Sequence, residues 1–508
     1  MRSGGIRQAK AQRVVVIGAG IGGLTAAALL AHRGYSVLVL DQAIVPGGCA
    51  STFRRKGFTF DVGATQVAGL EPGGIHHRIF SELGIAPPAA TPCDPACAVY
   101  LPHETAPIQV WRDPQQWQAE RQRQFPGSEP FWQLLADLFR YSWAFQSRDP
   151  VLPPRDLWDL AQLVQAVRPD TLLTLPHTFT TVGQMLRAYG LTDRRLKTFL
   201  DLQFKLYSQV DADETALLYA AMALGVSQEP QGLYHLQGSM QALSDCLVQA
   251  LERDGGKLLM RHTVQRILTE NNRAKAIAIC NQKTGEIWVE PADHVIANVT
   301  VQNLVQLLGD AVPTGYRRRV DKLPTASGAF VIYLGVKQDA IPANCPPHLQ
   351  FLYDYDGPIG ENNSLFVSVS HAGDGRAPEG YATVIASSFT NPTIWWNGEA
   401  ASDSYQSLKQ HYTDTAIQRL GQFFDLTANT IVHVEAATPR TFARYTGRDQ
   451  GIVGGIGQRI STFGPFGFAN RTPINHLWLV GDSTHPGEGT AGVSYSALTV
   501  VRQIEAES

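Results

Sequence analysis

The chain has 508 residues, 44% hydrophobic and 17% charged, with a formal net charge of -3. That length exceeds one hydrophobic core of ordinary size, so two consecutive or interleaved domains are expected, and the composition is that of a globular rather than a disordered protein. The sequence lacks a basic stripe to neutralise phosphates, which excludes nucleic acid from the expected partners.

The basic start, Met1 to Gln12, is followed by an apolar run, Val14 to Ile17, too short for a signal-peptide core. No run of about 18 apolar residues is available to span a bilayer. The chain is therefore expected on the cytoplasmic side, with any membrane contact peripheral. Six cysteines, at Cys49, Cys93, Cys97, Cys246, Cys280 and Cys345, show neither zinc-site spacing nor disulfide density. Reduced thiols and no metal are expected, with Cys93 and Cys97 in a Pro-flanked loop.

In chain order, Arg13-Val-Val-Val-Ile17 is a β-branched run, followed by Gly18-Ala-Gly-Ile-Gly-Gly23 and an Ala-rich stretch from Thr25 to Ala31. This reads as strand, turn, helix. Gly18 permits the tight turn, Gly20 lets the backbone approach a pyrophosphate, and Gly23 lets the helix lie close to the strand; Gly22 lies within the same turn. The helix N-terminus then faces the phosphates. A second strand, Ser36 to Leu40, ends at Asp41, a carboxylate placed for the adenosine ribose hydroxyls. A dinucleotide is implied, and these residues leave NAD and FAD equally open.

Pro46-Gly-Gly-Cys-Ala-Ser-Thr52, with Phe58-Thr-Phe-Asp-Val-Gly63 after it, offers backbone NH groups at Gly47 and Gly48 to an anion; a plain surface turn is the competing reading. Farther on come Trp132, Phe139, Tyr141, Trp143, Phe145, Phe199, Phe204, Tyr207 and Leu217 to Leu224. Core packing accounts for most of these singly, and together they suit a long apolar tunnel. Leu157, Leu160, Val164 and Val167 share one helical face with Trp158 beside it and Arg155 and Arg168 at its ends. That face suits a bilayer interface, or else packs on the core.

A helix is expected over Met240 to Leu251, then strands over Lys257 to Met260 and His262 to Ile267. Near the C-terminus, the strand Leu477 to Val480 ends in Gly481-Asp482, with Gly487, Gly489 and Gly492 around a helix start near Ala491. Asp482 is placed for ribityl hydroxyls, and the helix N-terminus for the flavin N1 and C2 carbonyl, where negative charge develops on reduction. This second anchor favours FAD. Glu488 and His485, in the loop approaching the flavin, are the candidate acid–base residues; His485 is alternatively a packed structural histidine.

Gly18 to Gly23, Asp41, Pro46 to Ala50, Asp61 to Gly63 and Gly481 to Ser496 resemble the carotenoid desaturase and carotene isomerase family of flavin amine-oxidase-like enzymes, a likeness that spans nearly the whole chain. The resemblance implies an α/β fold in which a Rossmann-like FAD-binding domain is assembled from about 13–70, 230–300 and 470–508. An interleaved α+β substrate domain would take 71–229 and 301–469. It further implies that Tyr234 to Met240 completes the nucleotide site and that the Val264 backbone meets the adenine. Asp293 to Asn298 would return to the nucleotide domain, and Gly481, Asp482, Gly489, Ala491, Gly492 and Val493 would serve the flavin end.

Many desaturases of this family carry Arg where this chain has Cys49, a departure that looks more like the isomerase, saturase and terminal-desaturase branches. Gly63 to His77 and Gly481 to Gly489 look most like cyanobacterial C-3′,4′ desaturases. That likeness implies a 1′-hydroxylated carotenoid losing hydride to flavin and a proton to a base, on the way to myxol-type pigments. Quinone or oxygen would be the electron acceptor and a membrane surface the working site. The rivals are a prolycopene cis–trans isomerase using reduced FAD, a retinol-saturase-like reductase and a non-catalytic flavin-bearing carotenoid carrier.

Overall fold

The computed structural model describes residues 12–396 and 402–507; the basic stretch before Gln12 lies outside them. The run Arg13–Ile17 forms the centre of a five-stranded sheet. It pairs in parallel with Ser36–Asp41 on one side and His294–Ala297 on the other, and Lys257–Met260 and Leu477–Leu479 extend the two edges. Five short strands from distant stretches thus make one parallel sheet. Val14, Val15 and Val16 are fully buried, because both faces are covered, which is why these strands read as continuous apolar runs rather than alternating ones.

One face packs the helices Ile21–His32, Gln241–Arg253 and Thr490–Glu507. Eleven of the twelve residues of Ile21–His32 are buried, so this helix is apolar all round, and its alanines let a helix approach on either flank. The other face, through Val15, Ile17 and Val295, packs a three-stranded antiparallel sheet (His262–Glu270, Arg273–Asn281, Ile287–Pro291) and the helix Val301–Leu308.

The rest of the chain builds a seven-stranded sheet in the order Ile431–Ala437, Gly328–Lys337, Tyr381–Thr390, Ser364–Val369, His348–Leu352, Cys97–Tyr100, Ile108–Val110. A helical layer that includes Glu129–Gln146, Arg194–Ser208 and Leu217–Gly225 caps part of it around Phe131, Trp132, Phe199 and Phe204.

A buried ion network sits where these parts meet. The Arg376 guanidinium, 2% exposed, donates to Asp61 Oδ2 (3.0 Å), Asp374 Oδ2 (3.1 Å) and the Leu236 carbonyl (2.8 Å), and touches His235 Nε2 at 2.9 Å. Asp61 Oδ1 in turn accepts from the Met240 NH (2.8 Å) and the Thr52 hydroxyl (3.0 Å). One guanidinium therefore pins together segments near residues 52–61, 234–240 and 371–376.

The structure corrects two sequence expectations. Cys97 opens a strand rather than lying in a loop, while all six cysteines are free thiols. The helix Leu157–Ala166 stops before Val167, and Leu157, Leu160 and Val164 are 85%, 45% and 63% exposed. Its apolar face therefore does not pack on the core. Leu172, Leu173, Leu175 and Phe179 are exposed as well, and the Phe179 ring lies 5.5 Å from that of exposed Phe466. Among the described residues, no helix is long and apolar enough to cross a membrane.

Candidate active site

A cavity of about 1420 Å³ opens at the C-terminal ends of the parallel strands, lined by Ile17, Leu40 and Val480 and by the turns that follow them. It exceeds the roughly 300–1,000 Å³ of an ordinary small-molecule site. Gly18, Gly20 and Gly22 line it, as do Gly47, Gly48 and Val264, and at the far end Gly481, Asp482, Gly489, Ala491, Gly492 and Val493. The helices Ile21–His32 and Thr490–Glu507 both begin at its wall, so two sets of free backbone NH groups and two positive dipole ends serve one space.

The first turn is shaped by sterics. Gly18 has φ +97° and its NH donates to the Leu40 carbonyl at 2.8 Å. A Cβ on Gly23 would fall 2.1 Å from the Gly18 carbonyl oxygen, so a side chain there would push the helix off the strand. Gly23 accordingly lies behind the cavity wall rather than on it. The Gly47 NH donates to the Ala19 carbonyl at 2.8 Å, which lays the Gly47–Gly48 turn beside the first one. Asn298, just past the strand His294–Ala297, lines the cavity and fills the space beneath Gly18 and Gly20.

Asp41 lines the cavity beside the first glycine turn and is held by the backbone: Oδ2 accepts from Ala19 NH and Oδ1 from Ala43 NH, both at 2.7 Å. Burial pushes its carboxyl up, and these two hydrogen bonds oppose the shift. Each oxygen keeps further acceptor capacity for a ligand hydroxyl. Val264 lies where the ladder between His262–Glu270 and Arg273–Asn281 slips register, between Val264 and Arg266, with Gln265 also on the cavity wall. Such a bulge frees backbone groups from the ladder.

At the other end, Glu488 lines the cavity. Its Oε2 accepts from Gln209 Nε2 at 2.9 Å, and among the described residues its buried Oε1 has no hydrogen-bond partner. Burial, reinforced by the nearby Asp482 charge, raises this carboxyl to about 8. His485 is placed differently: its ring is off the cavity wall, hydrogen-bonded through Nε2 to Gln146 at 2.9 Å and packed against Phe463 and Tyr495. Burial lowers its pKa to about 4. Of the two alternative acid–base candidates read from the sequence, His485 therefore packs behind the wall that Glu488 lines.

Of the aromatics and aliphatics expected to form a tunnel, Trp143, Tyr207, Tyr219, Met222 and Ala223 line the cavity, joined by Phe366 and Phe389. Trp132, Phe199 and Phe204 are core residues at 2%, 1% and 0% exposure. Arg448, which no local motif marks, also lines the cavity and pairs with Asp482 at 2.7 Å across 34 positions of sequence. Elsewhere His294, His476 and Glu507 come within 4.8 Å of one another, but Arg273 contacts His476 and Arg471 pairs with Glu507, and these cations oppose a metal ion there.

The family profile described as an NAD(P)-binding Rossmann-like domain matches residues 16–83. The chain is 28% identical to the chloroplastic prolycopene isomerase of Daucus carota, over 99% of this chain and 81% of that one. It is 26% identical to the zeta-carotene-forming phytoene desaturase of Myxococcus xanthus, over 97% and 94%. Among solved structures, cyclohexylamine oxidase from Brevibacterium oxydans superposes with a TM-score of 0.62 at 16% identity, over 98% of this chain and 100% of that one. Along nearly its whole length, this chain is therefore similar to carotenoid isomerases and desaturases at 26–28% identity, on a fold that superposes with that of an amine oxidase.

Proposed function

We propose that this protein is an FAD-dependent carotenoid C-3′,4′ desaturase acting on a 1′-hydroxylated end group, with its cofactor half assembled from about 13–70, 230–300 and 470–508. The observation that carries the reading is Glu488: a buried carboxyl with one oxygen unpaired among the described residues, on the wall where the dinucleotide cradle continues into an apolar space. The cradle fits FAD. Glycine turns that admit no side chain, two helix N-termini, Asp41 at one end and Asp482 at the other suit a long dinucleotide bound at both ends. When bound, FAD supplies a two-electron hydride acceptor that quinone or oxygen reoxidises.

The chain's own residues do the rest. Apolar walls hold a polyene that offers few polar handles and keep water from the reacting end. Glu488 accepts the proton from the carbon next to the one that loses hydride, so each turnover removes two hydrogens. The chain spans 81% of the Daucus carota isomerase and 94% of the Myxococcus xanthus desaturase, and both reactions are served by such a cavity. Cis–trans isomerisation of prolycopene is therefore the second reading, favoured by the four isomerases at 27–28% identity.

Mass spectrometry of pigments from a lycopene-producing host with a 1,2-hydratase separates them. A product two mass units lighter than its hydroxylated precursor supports desaturation. Unchanged mass with an altered cis/trans ratio moves the assignment to isomerase.

The exposed face of Leu157, Leu160, Val164, Leu173 and Phe179 supplies a docking surface for the bilayer that dissolves the substrate, with Arg155, Arg319 and Arg459 around the adjoining hollow. Replacing Leu157, Val164 and Phe179 together by Ser is expected to weaken binding to anionic phospholipid vesicles about tenfold or more, at about 1.5–3 kcal/mol per fully buried apolar side chain. Vesicle co-sedimentation equal to wild type would remove the surface from this role.

A further inference from the structure

We infer that Arg448 is the cation that holds the phosphate pair of the bound dinucleotide, delivered to the cradle from outside both glycine turns. The inference rests on the FAD reading above and adds a residue that no motif marks.

The guanidinium is fixed on its own chain before any ligand arrives. Nε donates to the Ile452 carbonyl at 2.7 Å, and Nη2 donates to the Gly454 carbonyl and to Asp482 Oδ2, the latter at 2.7 Å. Among the described residues Nη1 makes no hydrogen bond, although the side chain lines the cavity, so one edge of the fork remains available to an acceptor. Its position is central. Arg448 is close enough to Cys49 to oppose the upward push that burial gives that thiol. Cys49 belongs to the turn Gly48–Ala50, and a Cβ on Gly48 would stand 3.4 Å from Gly20 Cα. Arg448 thus shares the cavity wall with both glycine turns and is held there on Asp482.

A cation is needed at that point. The acids on the cavity wall include Asp41 and Asp482, and a pyrophosphate adds two negative charges. Helix N-termini offer only about half a charge each. The other arginines on the wall, Arg54 and Arg55, are exposed, and Arg55 is paired with Glu435 at 3.3 Å. Unpaired phosphate charge in an enclosed site is costly, and a preorganised arginine fork meets it at little entropic cost.

The test is FAD titration of apoprotein, followed by flavin fluorescence at several salt concentrations, for wild type, Arg448→Gln and Arg448→Lys. Arg448→Gln is expected to weaken FAD binding about tenfold to a hundredfold and to flatten its salt dependence. Arg448→Lys keeps the charge but loses the fork, so it should bind with intermediate affinity and a wild-type salt slope. If Arg448→Gln fails to fold, the Lys variant carries the test. Wild-type affinity in Arg448→Gln overturns the inference. So does weaker binding with an unchanged salt slope, which would leave Arg448 as a support for Asp482 alone. A wild-type protein that takes up no FAD would overturn the cofactor reading itself, and this inference with it.

Discussion

Glu488→Gln is expected to lower carotenoid turnover about 10²- to 10⁴-fold while flavin loading stays at the wild-type level. The substitution keeps the shape and the Gln209 contact but removes the proton acceptor at the junction of cradle and apolar space. Wild-type turnover should rise with pH through about 8, where the buried carboxyl loses its proton and becomes a base, and the variant should show no such rise.

The same shift has a sign for stability. A carboxyl whose folded pKa lies above its unfolded value of 4.5 favours the folded state below that value, and the contribution is lost as pH rises through about 8. Apoprotein should therefore lose stability between about pH 5 and pH 8, and Glu488→Gln should flatten that profile. A variant with wild-type turnover and a wild-type pH profile would end the assignment of Glu488 as base.

Removing Arg376 has the largest expected effect on stability. Arg376→Leu leaves Asp61 and Asp374 buried without their cation, at a cost of about 3–5 kcal/mol. Asp374 is held below the ordinary carboxylate range by contacts that include His235 and Arg376, against the upward push of burial, and losing Arg376 weakens that hold. Adding Asp61→Asn to Arg376→Leu should recover part of the loss, because it removes one of the stranded charges. Thermal melts of the single and double variants check both statements. An Arg376→Leu protein that melts with wild type would show that the network does not tie these segments together.

How much of this was legible in the sequence follows from the range of the forces involved. The strand, turn and helix at Arg13 to His32 were readable because the glycines answer to contacts within a few residues, as the 2.1 Å gap behind Gly23 demonstrates. Asp41 and the Gly481–Asp482 turn were readable for the same reason: each closes a short buried strand and lies on the cavity wall. The apolar face of the helix at Leu157 is legible in the sequence, but periodicity reports only that a face is apolar, and exposure of Leu157 at 85% is decided by which elements do not cover it.

The sequence by itself determined the phosphate-binding turns, the parallel strands that carry them and the residues at both ends of the cradle, because local sterics and short hydrophobic runs suffice for these. Only the tertiary structure separated Glu488 from His485, two neighbours of which one meets the cavity and the other packs behind it. Only the tertiary structure, too, brought Arg448 to Asp482 and Arg376 to Asp61, across 34 and 315 positions. Charge pairing and burial act through space, so their partners are set by how the whole chain packs and leave no periodic trace along it.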